Sequence, residues 1–319
     1  MLKKFDVQTT PVTLIGGYLG AGKTTLVNHL LRHADGLRIA VLVNEFGELP
    51  IDGDLIKSQD EDIINIAGGC VCCAYGSDLM LALNTLQQLD SPPEHVLIEA
   101  SGVALPDSIA KSIQLIQYYR IDSIAILADA ETLMRNAHDT YLADTIRRQL
   151  ESAYFLLLTK TDLVDRDTMF ELKDWLAQHY PDKPVMELLH GAITIQVLLG
   201  QGLSTTPYTP GTRRPENFAS QNSGHHPHHH AMTFDVLKLV EPELLLQELI
   251  NSNPDLVRIK GFVRSADQRV FTVQAVGCRL MTAVAPPDVE NVGKIICISA
   301  HNQVDSERIT EVIDTHRTE

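Results

Sequence analysis

Short apolar runs rich in β-branched residues recur along the first half of the chain, and stretches of helical period separate them. Val12-Thr13-Leu14-Ile15, bounded by glycine, predicts a buried strand. From Lys23 to about His33 the apolar positions Leu26, Leu30 and Leu31 follow a helical spacing. Further strands are predicted at Ile39 to Val43, Ile63 to Ile66, Val96 to Ile98, Ile124 to Leu127 and Phe155 to Leu158. Helices are predicted between most of them, including Leu79 to Leu89 and Thr140 to Leu150. Strand and helix alternating at this spacing imply parallel crossovers, hence an α/β domain with helices on both faces of a mostly parallel sheet.

The pattern changes near residue 200. Residues 201 to 231 are rich in Gly, Ser, Thr, Pro, Asn and His, with almost no apolar period, and read as a linker or long surface loop. Beyond it, strand-like alternation at Met232 to Leu239, Leu256 to Val263, Arg269 to Ala275, Arg279 to Val284 and Lys294 to Ser299 accompanies helical patterns at Leu244 to Ile250 and Ser306 to Thr315. This predicts a small α+β domain with an antiparallel sheet over 232–319, following a first domain over 1–200. A length of 319 residues agrees with two domains.

Charge narrows the function. Lys+Arg number 26 against 41 Asp+Glu, a formal net charge of -15. That surface disfavours nucleic acid and anionic lipid as partners, but leaves room for a local anion site built from backbone N–H groups. The opening residues carry no apolar run of signal-peptide length, no stretch reaches transmembrane length, and the expected location is cytoplasmic. Five cysteines, an odd number, argue against a disulfide framework in such a compartment.

Gly17-Tyr18-Leu19-Gly20-Ala21-Gly22-Lys23-Thr24 matches G-x-x-x-x-G-K-[ST] between a strand and a helix, the context that gives this motif its meaning. Gly17, Gly20, Ala21 and Gly22 would wrap phosphate with backbone N–H groups. Lys23 would neutralise charge on the β- and γ-phosphates, and the Thr24 hydroxyl would ligate Mg²⁺. Glu99, ending the strand Val96 to Ile98, can hold the magnesium shell or position attacking water, and Gly102 can offer its N–H to the γ-phosphate. Thr159-Lys160-Thr161-Asp162 follows another strand and matches the guanine-reading N-K-x-D element, with Thr159 where Asn is usual. Asp162 would accept from the ring N–H and 2-amino group of guanine, and Lys160 would lay its stem over the base. Asp162 could instead cap the next helix.

Cys70, Cys72 and Cys73, preceded by Gly68 and Gly69, put three sulfurs within four residues. Thiolates select Zn²⁺, Cu⁺ or thiophilic Co²⁺, and the fewer than four clustered cysteines suit an ion that must leave again. Buried packing is the bland alternative. A redox pair would require a vicinal Cys72–Cys73 bond that strains the backbone. Glu45 or Glu48, in Asn44-Glu45-Phe46-Gly47-Glu48, could complete the metal shell from a loop placed to sense the γ-phosphate. The tract His225-His226-Pro227-His228-His229-His230 can bind Zn²⁺, Co²⁺ or Ni²⁺ exchangeably, or is simply a polar tract. Cys278 and Cys297 read as core residues.

Together GGYLGAGKTT, NEFGE, GGCVCC, EASG, TKTD, the histidine tract and Arg258-Ile259-Lys260-Gly261 resemble the CobW-type metallochaperone GTPases, relatives of the nickel-delivering GTPases of hydrogenase and urease maturation. The resemblance spans nearly the whole chain, and the phosphate loop followed by C-x-C-C is its most specific part. It implies a P-loop GTPase domain with Lys23 and Glu99 as catalytic residues. The implied nucleotide set is Gly17, Gly20, Ala21, Gly22, Lys23, Thr24, Thr25, Gly102, Thr159, Lys160 and Asp162, and the implied metal set is Cys70, Cys72, Cys73, Glu48 and Thr24. GTP, Mg²⁺ and Zn²⁺ (or Co²⁺) are the implied cofactors and cargo, a client metalloprotein the implied partner, and a homo-oligomer is compatible with it. Many relatives carry a carboxylate where Val43 stands, which shifts weight onto Glu48. The rival readings are a metal buffer or sensor with a structural nucleotide, a cobalamin-synthesis accessory GTPase, and a small-molecule kinase. No Arg-rich lid supports the last.

Overall fold

The computed structural model describes residues 9–32, 37–43, 63–67, 77–188, 193, 195–199, 231–277, 279–285, 289, 291–299 and 304–316. The chain divides into two compact units: Met1–Leu199 with Val276–Arg279, and Gly200–Ala275 with Leu280–Glu319. No helix among the described residues is long and apolar enough to cross a membrane.

The first unit contains, in chain order, β1 (Thr10–Gly17), α1 (Lys23–Arg32), β2 (Ile39–Val43), β3 (Ile63–Ala67), α2 (Ser77–Gln87), β4 (His95–Glu99), α3 (Pro106–Ile113), β5 (Tyr119–Asp129), α4 (Leu133–Ala137), α5 (Ala143–Ser152), β6 (Phe155–Thr159), α6 (Arg166–His179), β7 (Val185–Glu187) and α7 (Ile195–Leu199). Its seven strands run in the order β3-β2-β4-β1-β5-β6-β7, and every neighbouring pair is parallel. Strands β4 and β6 are buried along their whole length, as expected where both faces of a parallel sheet are covered. The α/β expectation therefore holds.

Differences from the sequence pattern have local causes. Strand β5 is longer than its apolar run because Asp122, almost fully buried, is neutralised by Arg120 Nη1 at 3.0 Å, so a polar stretch can stay in the sheet. The helix expected from Thr140 begins at Ala143. The Asp139 carboxylate accepts from the N–H groups of Tyr141 at 2.8 Å and Leu142 at 3.1 Å and holds those residues in a turn. Helix α6 was not signalled by its apolar stripe, since only Leu172 and Leu176 are fully covered. Its N-cap is Asp165, which accepts from Thr168 N at 2.8 Å. The capping alternative for Asp162 is thereby overturned.

The second unit contains β8 (Ala231–Asp235), α8 (Pro242–Ser252), β9 (Leu256–Arg264), β10 (Val270–Val276), β11 (Arg279–Val284), β12 (Lys294–Ser299) and α9 (Ser306–Thr315). The sheet order is β11-β10-β9-β12-β8, and β12 is antiparallel to both β8 and β9. Leu245, Leu249, Ile309 and Ile313 of the two helices close over Phe234, Ile259, Val273, Ile295 and Cys297. The strand expected to reach Leu239 stops at Asp235, because the chain turns to place Lys238 Nζ on the carbonyls of Asp314 at 2.9 Å and His316 at 2.7 Å, at the end of α9. Gly261 is required by proximity. A Cβ there would lie 2.2 Å from the Lys294 carbonyl oxygen and 2.7 Å from Ile295 Cα, both on neighbouring β12.

Candidate functional site

The phosphate loop joins β1 to α1 with three glycines at positive φ: Gly17 at 131°, Gly20 at 76° and Gly22 at 91°. A Cβ on Gly20 or Gly22 would meet nothing within 4 Å, so those two are needed for their backbone angles and not for space. Ala21 N donates to Tyr18 O at 3.2 Å across the loop. Helix α1 starts at Lys23, which brings the positive helix end to the loop.

Lys23 is buried, and its ammonium donates to the loop's own carbonyls, Gly17 O at 3.0 Å and Tyr18 O at 3.2 Å. Burial lowers its pKa, and the nearby Glu99 charge works in the opposite direction. Thr24 Oγ1 donates to Glu99 Oε1 at 2.9 Å, so a hydroxyl from α1 and a buried carboxylate from the end of β4 converge. Two hard oxygen donors side by side below a phosphate loop fit Mg²⁺ by donor chemistry. Thr25, next on the helix, is exposed.

Gly102 lies in the turn after β4, pressed against the loop. A Cβ there would sit 2.8 Å from Leu19 N and 2.6 Å from Leu19 Cδ2. Thr159, at the end of β6, is buried and donates through Oγ1 to Ala21 O at 3.0 Å. Lys160 adopts the left-handed region at φ 55°, and its ammonium pairs with Asp129 Oδ2 at 2.7 Å. Asp162 is exposed on the short 3₁₀ turn Thr161–Leu163.

Cys70, Cys72, Cys73, Glu45, Glu48, the histidine tract and Cys278 lie outside the described residues. Among the described residues, no group of three or more His, Cys, Asp or Glu side chains is arranged to hold a metal ion. The strands that lead into those segments are described, and their register is informative. Ala67 pairs with Val43, Val43 with Glu99, and Glu99 with Ile15. One row across the sheet thus contains the last residue of the cysteine-side strand, the last residue before Asn44-Glu45, the Glu99 carboxylate and the strand entering the phosphate loop.

Two residues of the site escaped sequence reasoning. Asp129 ends β5, and besides holding Lys160 it accepts from Glu131 N at 3.0 Å. A carboxylate closing an apolar strand was its only signal. Gln149, on the buried side of α5, donates to Gly102 O at 3.1 Å and Ala104 O at 2.9 Å. Nothing in the sequence distinguishes it from other polar residues of that helix.

Comparison with known proteins identifies the family. The nucleotide-binding domain described as CobW/HypB/UreG matches residues 11–187. The zinc chaperone CobW of Sinorhizobium sp is 28% identical over 305 residues, covering 85% of this chain and 86% of that protein. The zinc chaperone CobW of Pseudomonas aeruginosa is 30% identical over 305 residues, covering 84% and 81%. Among solved structures, the Zn(II)-bound YjiA GTPase from E. coli aligns with 98% of this chain and 100% of that chain at 23% identity, with a TM-score of 0.47. With more than half of its length matched to that nucleotide-binding domain, the chain belongs to the CobW/HypB/UreG family.

Proposed function

We propose that the protein is a GTP-hydrolysing metallochaperone that carries Zn²⁺, or a similar cation such as Co²⁺, on Cys70, Cys72 and Cys73 and passes it to a client metalloprotein under nucleotide control. The observation that carries this reading is the row Ala67–Val43–Glu99–Ile15. It starts the cysteine segment, the Glu45/Glu48 segment and the phosphate loop from one edge of one sheet. A displacement in any of these segments can then be felt by its neighbours. The zinc chaperone names of the relatives support the cargo.

In this reading the nucleotide sits on residues 17–25. Lys23 exchanges its two carbonyl partners for β- and γ-phosphate oxygens, which offsets the cost of its burial. Thr24 and Glu99 would hold a Mg²⁺ shell, and the ion would neutralise phosphate charge when bound. Glu99 is the group placed to order attacking water, and Gly102 offers its N–H to the γ-phosphate. Asp162 selects guanine because adenine would leave its carboxylate facing no donor pair. Lys160, held by Asp129, lies over the base. Residues 1–199 with 276–279 form the nucleotide domain, the histidine-rich stretch up to residue 230 serves as a linker, and the C-terminal domain begins with β8 at Ala231.

Titration of a non-hydrolysable GTP analogue with and without Zn²⁺ tests the central claim. Reciprocity requires that if the nucleotide alters zinc affinity, zinc alters nucleotide affinity by the same factor. Unequal affinities, abolished in Cys72→Ala together with zinc content, are expected. Equal affinities would exclude nucleotide control and leave a metal buffer with a structural nucleotide.

A further inference from the structure

Gln149 is 2% exposed and shares the inner side of α5 with Ile146 and Leu150. Its side-chain nitrogen makes the bonds to the Gly102 and Ala104 carbonyls described above. Both partners only accept, so the nitrogen and not the oxygen of the amide must face them. The same turn is closed by Ala104 N donating to Ser101 O at 3.0 Å. On its other side the Leu19 backbone leaves no room for a Cβ on Gly102. Gly102 is therefore clasped between the phosphate loop and one amide of α5. The outer side of that helix is a charged surface with Asp144 paired to Arg147 and Arg148.

We propose that Gln149 is a positioning residue. It fixes the turn that aims the Gly102 N–H at the γ-phosphate, and so makes α5 the helix that registers whether that phosphate is present. This rests on the assignment of Gly102 to the γ-phosphate made above. A glycine loses more backbone freedom on ordering than any other residue. Two bonds that order it in advance remove that loss from the binding step, but only for a ligand that uses its N–H. GDP does not use it. Gln149 should therefore discriminate GTP from GDP while touching neither.

The test uses Gln149→Leu, which keeps the volume and removes both donors, and Gln149→Glu, which turns a carboxylate toward two carbonyls. Dissociation constants for GDP and for a non-hydrolysable GTP analogue are measured with Mg²⁺ in the full chain. Loss of one to two hydrogen bonds corresponds to roughly tenfold. Analogue binding should weaken about tenfold, with GDP affinity within about twofold of wild type. A merely structural role would weaken both nucleotides alike, and that result, or no change in either, overturns the inference. Should both variants fail to fold, hydrogen exchange of the amides of residues 146–150 in the unmodified protein decides. Slower exchange with the analogue than with GDP is expected, and equal exchange overturns the inference. Wild-type protein that binds neither nucleotide overturns the proposed function as well. Wild-type protein that binds both, with an unchanged ratio in the variants, overturns only the role of Gln149.

Discussion

Thr159 Oγ1 donates to the carbonyl of Ala21 across a separation of 138 residues. It ties the strand end that precedes Lys160 and Asp162 directly to the phosphate loop. A hydroxyl here does what a side-chain amide can do at the same position, donating to a loop carbonyl, and it fits in a buried site next to a residue as small as Ala21. Thr159→Val keeps the shape and leaves the Ala21 carbonyl without this donor. Stability should fall by about 1 kcal/mol in denaturant unfolding, and nucleotide affinity should fall with it, whereas Thr159→Ser should retain both.

Lys23 links nucleotide binding to protons. Its pKa is depressed in the folded protein, chiefly by burial, from an ordinary 10.5. Between the depressed value and 10.5 the unfolded chain binds more protons than the folded one, so this lysine makes stability rise with pH in that window and costs stability below it. Phosphate arriving next to Nζ raises the pKa again. Binding of a GTP analogue on the alkaline side should take up a proton, seen calorimetrically as a heat that changes with the ionisation enthalpy of the buffer. A heat independent of buffer across that window contradicts this account.

Asp162 should behave as the base reader. Asp162→Asn exchanges an acceptor pair for an amide that can also donate. Guanine, which offers two donors there, should bind at least tenfold more weakly, and xanthine, which offers a carbonyl at the 2-position, should gain. Competition of GTP, ATP and XTP for the labelled analogue measures both changes. Unchanged selectivity would show that base choice lies elsewhere.

Much of this was legible because the demands on the residues are local. Positive φ favours glycine at 17, 20 and 22, a demand of each residue's own backbone. Apolar runs of three to five residues located β1, β2, β4 and β6 to within two residues at each end. What stayed hidden depends on partners distant in sequence. Asp129 matters through Lys160, 31 residues away, and Gln149 through Gly102, 47 residues away. Helix α6 fully covers only Leu172 and Leu176, so its apolar period is weak, whereas α3 buries Pro106, Ile109, Ala110 and Ile113 at a helical spacing that the sequence does carry.

Gly261, read in the sequence only as part of a family signature, is a contact point between two strand backbones. Gly261→Ala should force β9 and β12 apart and destabilise the protein by about 2 kcal/mol or more. Thermal unfolding would measure this. A wild-type Tm would mean that β12 yields without cost.

Cys297 is enclosed in the second core, and burial raises its thiol pKa to about 12 from 9.0. The folded state keeps it protonated where the unfolded chain ionises. Its contribution to stability is therefore complete below about pH 9 and lost progressively as the pH approaches 12. At pH 8 iodoacetamide should spare Cys297 in the folded protein and modify it in denaturant, as read by peptide mass mapping. Modification at equal rates in both conditions would count against a closed core.

The position of β3 at the outer end of the sheet limits how the ends of β3 and β1 can influence each other. Three inter-strand steps separate it from β1, roughly 14 Å at about 4.8 Å per step. That exceeds the screening length of about 8 Å at physiological ionic strength. Direct attraction between charges at the ends of these two strands is thus feeble across this span. A displacement can instead pass along the hydrogen-bonded row Ala67–Val43–Glu99–Ile15 that joins these strand ends, a route that raised salt should leave intact.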